Sequence, residues 1–401
     1  MISPTEAEQL IERHLSPFPR EQCPLAAAHG RVLREPIRAD RDLPPFDRVT
    51  MDGYALRSSS WASGVRSFRV GRIQAAGMRA YALGDAADAC IEVMTGAVLP
   101  TGADCVVPYE DAVRDGAVIC IRESVTQLSS GSAVHRRGSD HPAGHEIIVA
   151  GTRLGGKEIA VAAACGCPTL MVSQLPRIAV VATGDELVEV EGDVAAHQIR
   201  RSNDHAIRAA LALAGYPGAE RFHLRDLPHE VEHLLWHILA EYDVVILTGG
   251  VSKGRFDLLP AALERQGVRK IVQGVAQRPG KPLWVGVGGR GNMVYALPGN
   301  PVSAYTCLHR YVVPALDQAS GVTSRPPRIV ELASAFTFKP PLVCFLPVRL
   351  ETGSDGVTRV VPGRVNTSGD LAGLVGTDGF VELPAEKSEF PAGTLTPFRP
   401  W

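Results

Sequence analysis

The 401-residue chain sets 41 lysines and arginines against 43 aspartates and glutamates, a formal charge of −2. That balance, with no basic tract, excludes the broad positive field that gathers nucleic acid. A chain of 401 residues also exceeds what one hydrophobic core organises, so several domains are expected.

Forty glycines and 30 prolines imply many turns, hence much β and loop structure beside the helices. The cysteines at 23, 90, 105, 120, 165, 167, 307 and 344 fall mostly in apolar runs. They read as small buried hydrophobes of a reducing compartment. Cys165-Gly166-Cys167 has no second pair at zinc spacing. Glu6, Glu8 and Glu12 replace the apolar segment that a signal peptide requires. The longest uncharged stretch, 159–176, is interrupted by Gly166, Pro168, Ser173 and Gln174. It reads as a core helix running into a strand rather than a bilayer span. A cytoplasmic protein with no membrane or nucleic-acid partner is expected.

In chain order, Ser3-Pro4-Thr5-Glu6 is a capping box that opens a helix to about His14. Leu25–Gly30 reads as a short helix, and Leu43–Phe46 as a proline break. From Met51 to Ile121 the pattern is short and β-like, with runs at Val65–Ile73, Ala89–Met94, Cys105–Pro108 and Ala117–Ile121. Arg136–Pro142 is a turn-rich boundary, and Gly155–Ala164 a helix that returns to the N-terminal region. His135, His141 and His145 share that boundary without the spacing that would give them a common face.

From Arg177 onward apolar strands alternate with helices. Strands are expected at Ile178–Ala182, Val244–Leu247, Lys270–Val275, Leu283–Val285 and Met293–Leu297. Helices are expected at Asp204–Ala214, His229–Ala240, Leu258–Gln266 and from Pro301 to Gln318. This alternation predicts a mostly parallel sheet covered on both faces, with ligands at the carboxyl ends of its strands. Ser324–Pro327 is a proline linker, and Ile329–Trp401 returns to short strands that suit a small barrel or sandwich.

Three motif turns fall at strand ends: Thr183–Glu186, Thr248–Asp257 and Pro298–Ser303. The second, Thr248-Gly249-Gly250-Val251-Ser252-Lys253-Gly254-Arg255-Phe256-Asp257, joins a buried strand to a helix. Glycines there let backbone N–H groups approach an anion at the positive end of the helix. The turn matches neither the Walker nor the dinucleotide glycine pattern. Thr183, Asp185 and Glu186 offer a hydroxyl and two carboxylates. With Asp226 and Asp257 they would suit a divalent cation on a phosphate. Arg278-Pro279-Gly280-Lys281-Pro282 places two cations on a stiff turn, an arrangement suited to an oxyanion. The competing reading of each is structural: a plain βα turn, solvated acids, a solvated basic turn.

Taken in order, these segments resemble the molybdopterin molybdenumtransferase family, the MoeA and gephyrin E-domain proteins. The resemblance rests on Pro44–Asp47, Met51–Ala55, Met94–Ala97, Leu99–Asp104, Gly151–Leu154, Thr183–Leu187, Ser202-Asn203, Thr248–Ser252, Pro279–Pro282 and Leu297–Ser303, which span nearly the whole chain. It implies a central three-layer α/β/α domain of molybdopterin-binding type with a mostly parallel sheet (176–323). Around it would lie an inserted small β domain (43–135), a discontinuous N-terminal α+β linker domain (1–42 and 136–175) and a C-terminal β-barrel (324–401). It implies a homodimer with the active site between subunits. The reaction would insert molybdenum from molybdate into adenylylated molybdopterin, releasing AMP with the help of Mg2+.

Carried over by motif, Asp52, Glu186, Asp226, Asp257 and Lys281 are the expected catalytic residues, with Glu186, Asp226 and Asp257 near the metal. Thr95, Asp140, Thr183, Gly249, Gly250, Ser252, Arg278, Pro298, Gly299 and Asn300 are expected to bind substrate. Lys281, Pro282, Ser303, Arg349 and Ser368 are expected beside molybdate. The chain departs from the family's paired acids at Ser139, Leu227 and Arg255, has Arg278 where lysine is usual, and carries Arg48-Val49-Thr50. Expected partners are a molybdopterin adenylyltransferase and downstream molybdoenzyme factors. Two rivals stand beside this reading. An adenylyltransferase-like enzyme would consume ATP instead of releasing AMP. A gephyrin-type dimeric scaffold would bind a partner peptide without catalysis.

Overall fold

The computed structural model describes residues 1–225, 227–250, 259–324, 326–364 and 367–401. Asp226, Ser252 and Asp257 lie outside them. The chain divides into two compact units, one of residues 1–34, 151–155 and 170–401, the other of residues 35–150 and 156–169.

The larger unit is built on a six-stranded sheet. Its elements are β1 (Ile178–Thr183), β2 (Ile199–Arg200), α1 (Asn203–Leu213), β3 (Glu220–Leu224), α2 (Pro228–Glu241), β4 (Val244–Thr248), α3 (Leu259–Arg265), β5 (Arg269–Gln273), β6 (Trp284–Val287), β7 (Met293–Leu297), α4 (Pro301–Cys307) and α5 (Val313–Ser320). The sheet order is β3-β1-β4-β7-β6-β5. Strands β3, β1, β4 and β7 pair in parallel; β6 pairs antiparallel with β7 and β5 antiparallel with β6, so in this sheet β6 alone runs against the rest. β2 stands outside this sheet and pairs with Leu187–Val188.

Strands buried on both sides must be apolar throughout, and every residue of β1, β4 and β7 is buried. Alternation splits their side chains between two cores. Ile178, Val180, Val244, Ile246, Tyr295 and Leu297 pack with α1, α4 and α5. Ala179, Val181, Val245, Leu247, Val294 and Ala296 pack with α2 and α3. The result is the expected three-layer α/β/α arrangement. β3 is an edge strand, and its Glu220, Arg221 and His223 hide it from a search for apolar runs.

The first helix, Pro4–Glu12, is closed by the expected capping box, with Ser3 and Glu6 satisfying each other's backbone N–H groups. The helix from Pro301 is interrupted by a π-helical stretch, Leu308–Val312, before α5 ends at Gly321 in the left-handed region. Arg310 in that stretch is 2% exposed and pairs with Glu8 of the first helix at 2.9 Å and Glu382 at 2.8 Å. A buried guanidinium needs such partners to offset its lost hydration.

Glu382 belongs to a closed barrel of the C-terminal strands Arg328–Leu332, Val343–Thr352, Thr358–Pro362, Gly379–Leu383 and Leu395–Pro400. Gln277–Arg278 adds to this barrel beside Val343-Cys344, so the turn that follows is anchored on it. In the smaller unit a six-stranded sheet contains the expected runs. It also contains Gly53–Leu56 and Ala112–Asp115, which were not among the expected strands. All eight cysteines are free, and only Cys120 is exposed. Among the described residues no helix is long and apolar enough to cross a membrane.

His309 packs between the rings of Tyr305 and Trp401, with centroids 4.7 and 5.5 Å away. Burial disfavours its charged form and pushes its pKa down to about 4 from the ordinary 6.5. Below pH 6.5 the unfolded chain takes up this proton first, so the folded state loses stability as pH falls from 6.5 towards 4. Between pH 7 and 4.5, His309→Phe is expected to remove about 2 to 3 kcal/mol of the parent's acid-induced loss, measured by urea unfolding. An equal loss in parent and variant would contradict this.

Candidate functional site

Parallel pairing with little stagger brings three strand ends to one rim. Ala182 of β1 stands opposite Thr248 of β4, and Thr248 opposite Leu297 of β7. The turns that follow therefore meet. The Gly249 N–H donates to Leu297 O at 3.2 Å, and the Thr183 hydroxyl donates to Thr248 O at 3.1 Å.

Above the rim lies a cavity of about 660 Å³. One wall is Thr183, Gly184, Glu186, Thr248, Gly249 and Gly250; another is Pro298, Gly299, Asn300 and Pro301. The remainder comes from Ala182, Leu187, Pro282, Gly369 and a corner from Ile199 to Asp204. The turn glycines have a steric reason. Gly249 and Gly250 take φ of 94° and 64°. A Cβ on Gly249 would meet the Thr183 hydroxyl at 2.8 Å, and one on Gly250 would meet Leu259 at 2.7 Å. Backbone thus lines this wall at a distance that no side chain permits. The Glu186 carboxylate folds back over Gly184 so closely that a Cβ there would collide with it.

The second wall is tied across the cavity. Asn203 at the start of α1 donates its side-chain amide to Gly299 O at 2.8 Å. Asn300 donates to the Ser368 hydroxyl at 2.8 Å, and the Val302 N–H donates to Ser368 O at 3.0 Å. Ser368, from the C-terminal segment, is thereby fixed beside the Pro298–Pro301 turn.

The structure thus gathers Thr183, Glu186, Gly249, Gly250, Pro282, Pro298, Gly299 and Asn300 at one cavity, with Ser368 bonded to Asn300 beside it. Ser303 is buried in the first turn of α4, below that turn. Arg278 and Lys281 are exposed on the turn that leads to Pro282 and do not line the cavity. Arg349 is paired with Glu351 on the barrel and also stands outside the lining. Among the described residues no three His, Cys, Asp or Glu side chains gather to hold a metal.

Asp52, Thr95 and Asp140 belong to the smaller unit. The Thr95 backbone N–H and hydroxyl donate to Asp52 Oδ1 at 2.6 and 2.8 Å. These bonds, the backbone one foremost, hold the Asp52 pKa below the ordinary carboxylate value. Arg48 donates to His135 Nδ1 at 3.0 Å, which leaves Nε2 protonated to donate to Asp140 at 2.8 Å.

Sequence reasoning missed Arg200, Arg201 and Asp204 in the lining. Asp204 is fully buried and paired with Arg201 and, at 3.3 Å, Arg221. The three-residue spacing of Arg201 and Asp204 at a helix start was the available signal.

A mostly parallel sheet with a glycine-lined cavity at its carboxyl rim defines the class of doubly wound α/β proteins that bind ligands at that rim. Comparison with known proteins narrows this. Residues 2–166 match the MoeA N-terminal region (domain I and II), residues 179–318 the probable molybdopterin binding domain, and residues 330–401 the MoeA C-terminal region (domain IV). The chain is 40% identical to a molybdopterin molybdenumtransferase of Synechocystis sp. over the full length of both. It is 33% identical to one of Staphylococcus epidermidis, over 91% of this chain and 87% of the relative. A solved molybdopterin biosynthesis MoeA protein from Pyrococcus horikosii superposes with a TM-score of 0.79 at 30% identity, over 100% of this chain and 99% of that one. The chain belongs to the MoeA family of molybdopterin molybdenumtransferases.

Gly249→Ala tests the backbone-lined wall. Its left-handed φ and the Thr183 contact should cost about 1 to 3 kcal/mol of stability, read by thermal unfolding, and AMP binding should weaken with it. Unchanged stability and binding would refute the steric account.

Proposed function

We propose that this chain inserts molybdenum from molybdate into the dithiolene of adenylylated molybdopterin and releases AMP. Its family membership makes it a protein of molybdenum cofactor biosynthesis. The observation that carries the finer reading is the backbone-lined cavity above Thr183, Gly249 and Gly250, which the Asn300–Ser368 bond extends to the C-terminal segment. A phosphoanhydride and an oxyanion both need dense, fixed donors, which glycine N–H groups and hydroxyls supply. The cavity volume of about 660 Å³ suits a nucleotide-sized ligand.

In this reading Lys281, Pro282, Ser303, Arg349 and Ser368 serve molybdate. Arg278, Thr183, Gly249, Gly250, Ser252, Pro298, Gly299 and Asn300 serve the pterin nucleotide. Mg2+ would be held by Glu186, Asp226 and Asp257, an oxygen donor set suited to it, and would offset phosphate charge. Asp52, Thr95 and Asp140 would complete the active site in a homodimer. The reading keeps the four-domain division, the cytoplasmic location, and supply by a molybdopterin adenylyltransferase ahead of downstream molybdoenzyme factors.

The test is single-turnover AMP release from adenylylated molybdopterin. Release should require molybdate, and Lys281→Ala should raise the half-saturating molybdate concentration about tenfold through loss of a charged contact. Molybdate-independent release, or a titration matching the parent's, would overturn the assignment.

A further inference from the structure

Two successive arginines, Arg200 and Arg201, sit at the corner of the cavity, and their charges meet different fates. Successive side chains of a strand point to opposite faces. Arg201 turns inward, its side chain 4% exposed, and pairs with Glu189 and with the fully buried Asp204. Its charge is neutralised within the fold. Arg200 is exposed, and its guanidinium donates to two backbone carbonyls, Val190 O at 2.8 Å and Gly192 O at 3.4 Å. Among the described residues no carboxylate pairs with it.

The other charged residues of the lining are Glu186 and the Asp204–Arg201 pair. Arg200 is therefore the cation of the cavity wall whose charge no acid of the described lining offsets. The two carbonyls also fix the guanidinium in place, so less freedom is lost when it meets an anion.

We propose that Arg200 is a binding residue for the phosphoryl group of the nucleotide half of the ligand. A planar guanidinium with unused N–H donors matches phosphate oxygens in charge and geometry. This inference rests on the nucleotide reading of the cavity. It adds a residue that none of the glycine, proline or lysine turns supplies.

The experiment compares AMP with adenosine, which lacks the phosphate, by isothermal titration of the full chain. The parent should bind AMP more tightly. Arg200→Ala should weaken AMP binding by about tenfold or more and leave adenosine unchanged. Arg200→Gln separates charge from loop anchoring, because glutamine can still donate to the Val190 carbonyl. It should lose the AMP preference as fully as alanine does. If Arg200→Gln keeps the parent's preference, Arg200 merely clips the loop and the proposal fails. If both variants keep it, the phosphate is held elsewhere and the proposal again fails. If the parent itself does not distinguish AMP from adenosine, the nucleotide reading of the cavity falls and takes the proposal with it. Both substitutions are at an exposed position, and circular dichroism checks that the fold persists.

Discussion

The parallel pairing of β1, β4 and β7 is the constraint on which the site depends. Hydrogen bonding in register makes these strands end together. Loops far apart in sequence are thereby delivered to one rim. A slip of one residue in any strand would exchange its two faces and break both cores. The cavity and the hydrophobic packing are thus consequences of one register. What the loops add is close approach: Gly249 and Gly299 bring backbone against backbone, with Gly299 near enough that an added Cβ would lie 3.4 Å from the Gly249 Cα.

Polar links then fix the mouth of the cavity. Asn203 holds the second wall from α1, and Asn300 holds Ser368. Arg310, buried between Glu8 and Glu382, ties the first helix and the barrel to the helical layer. The Arg310 guanidinium is expensive to bury alone and stable only with its partners in place. Such links make the position of Ser368 relative to the glycine turn a property of the whole larger unit.

Much of this was legible in the sequence because the central strands are uniformly apolar. Ile178–Ala182, Val244–Leu247 and Met293–Leu297 announce buried strands, and the glycine and proline turns announce their ends. The edge strand β3 was not legible, since Glu220, Arg221 and His223 give it a half-polar pattern. Nor was the reversed direction of β6, because strand polarity leaves no mark on hydrophobic spacing. Arg200 and Arg201 look alike on paper. Only tertiary contacts distinguish an internally paired arginine from one with no acidic partner. The motif residues of the smaller unit were found as pieces of a pattern, and their local bonds, such as Thr95 with Asp52, give them fixed orientations.

The central claim is that the turns after β1, β4 and β7 form one receptor for a nucleotide's phosphoryl group. A crystal structure with AMP soaked in tests it most directly. The account predicts the phosphate against Gly249 and Gly250, within reach of the Pro298–Asn300 turn. AMP seated elsewhere on the chain, with this cavity holding only water, would contradict it.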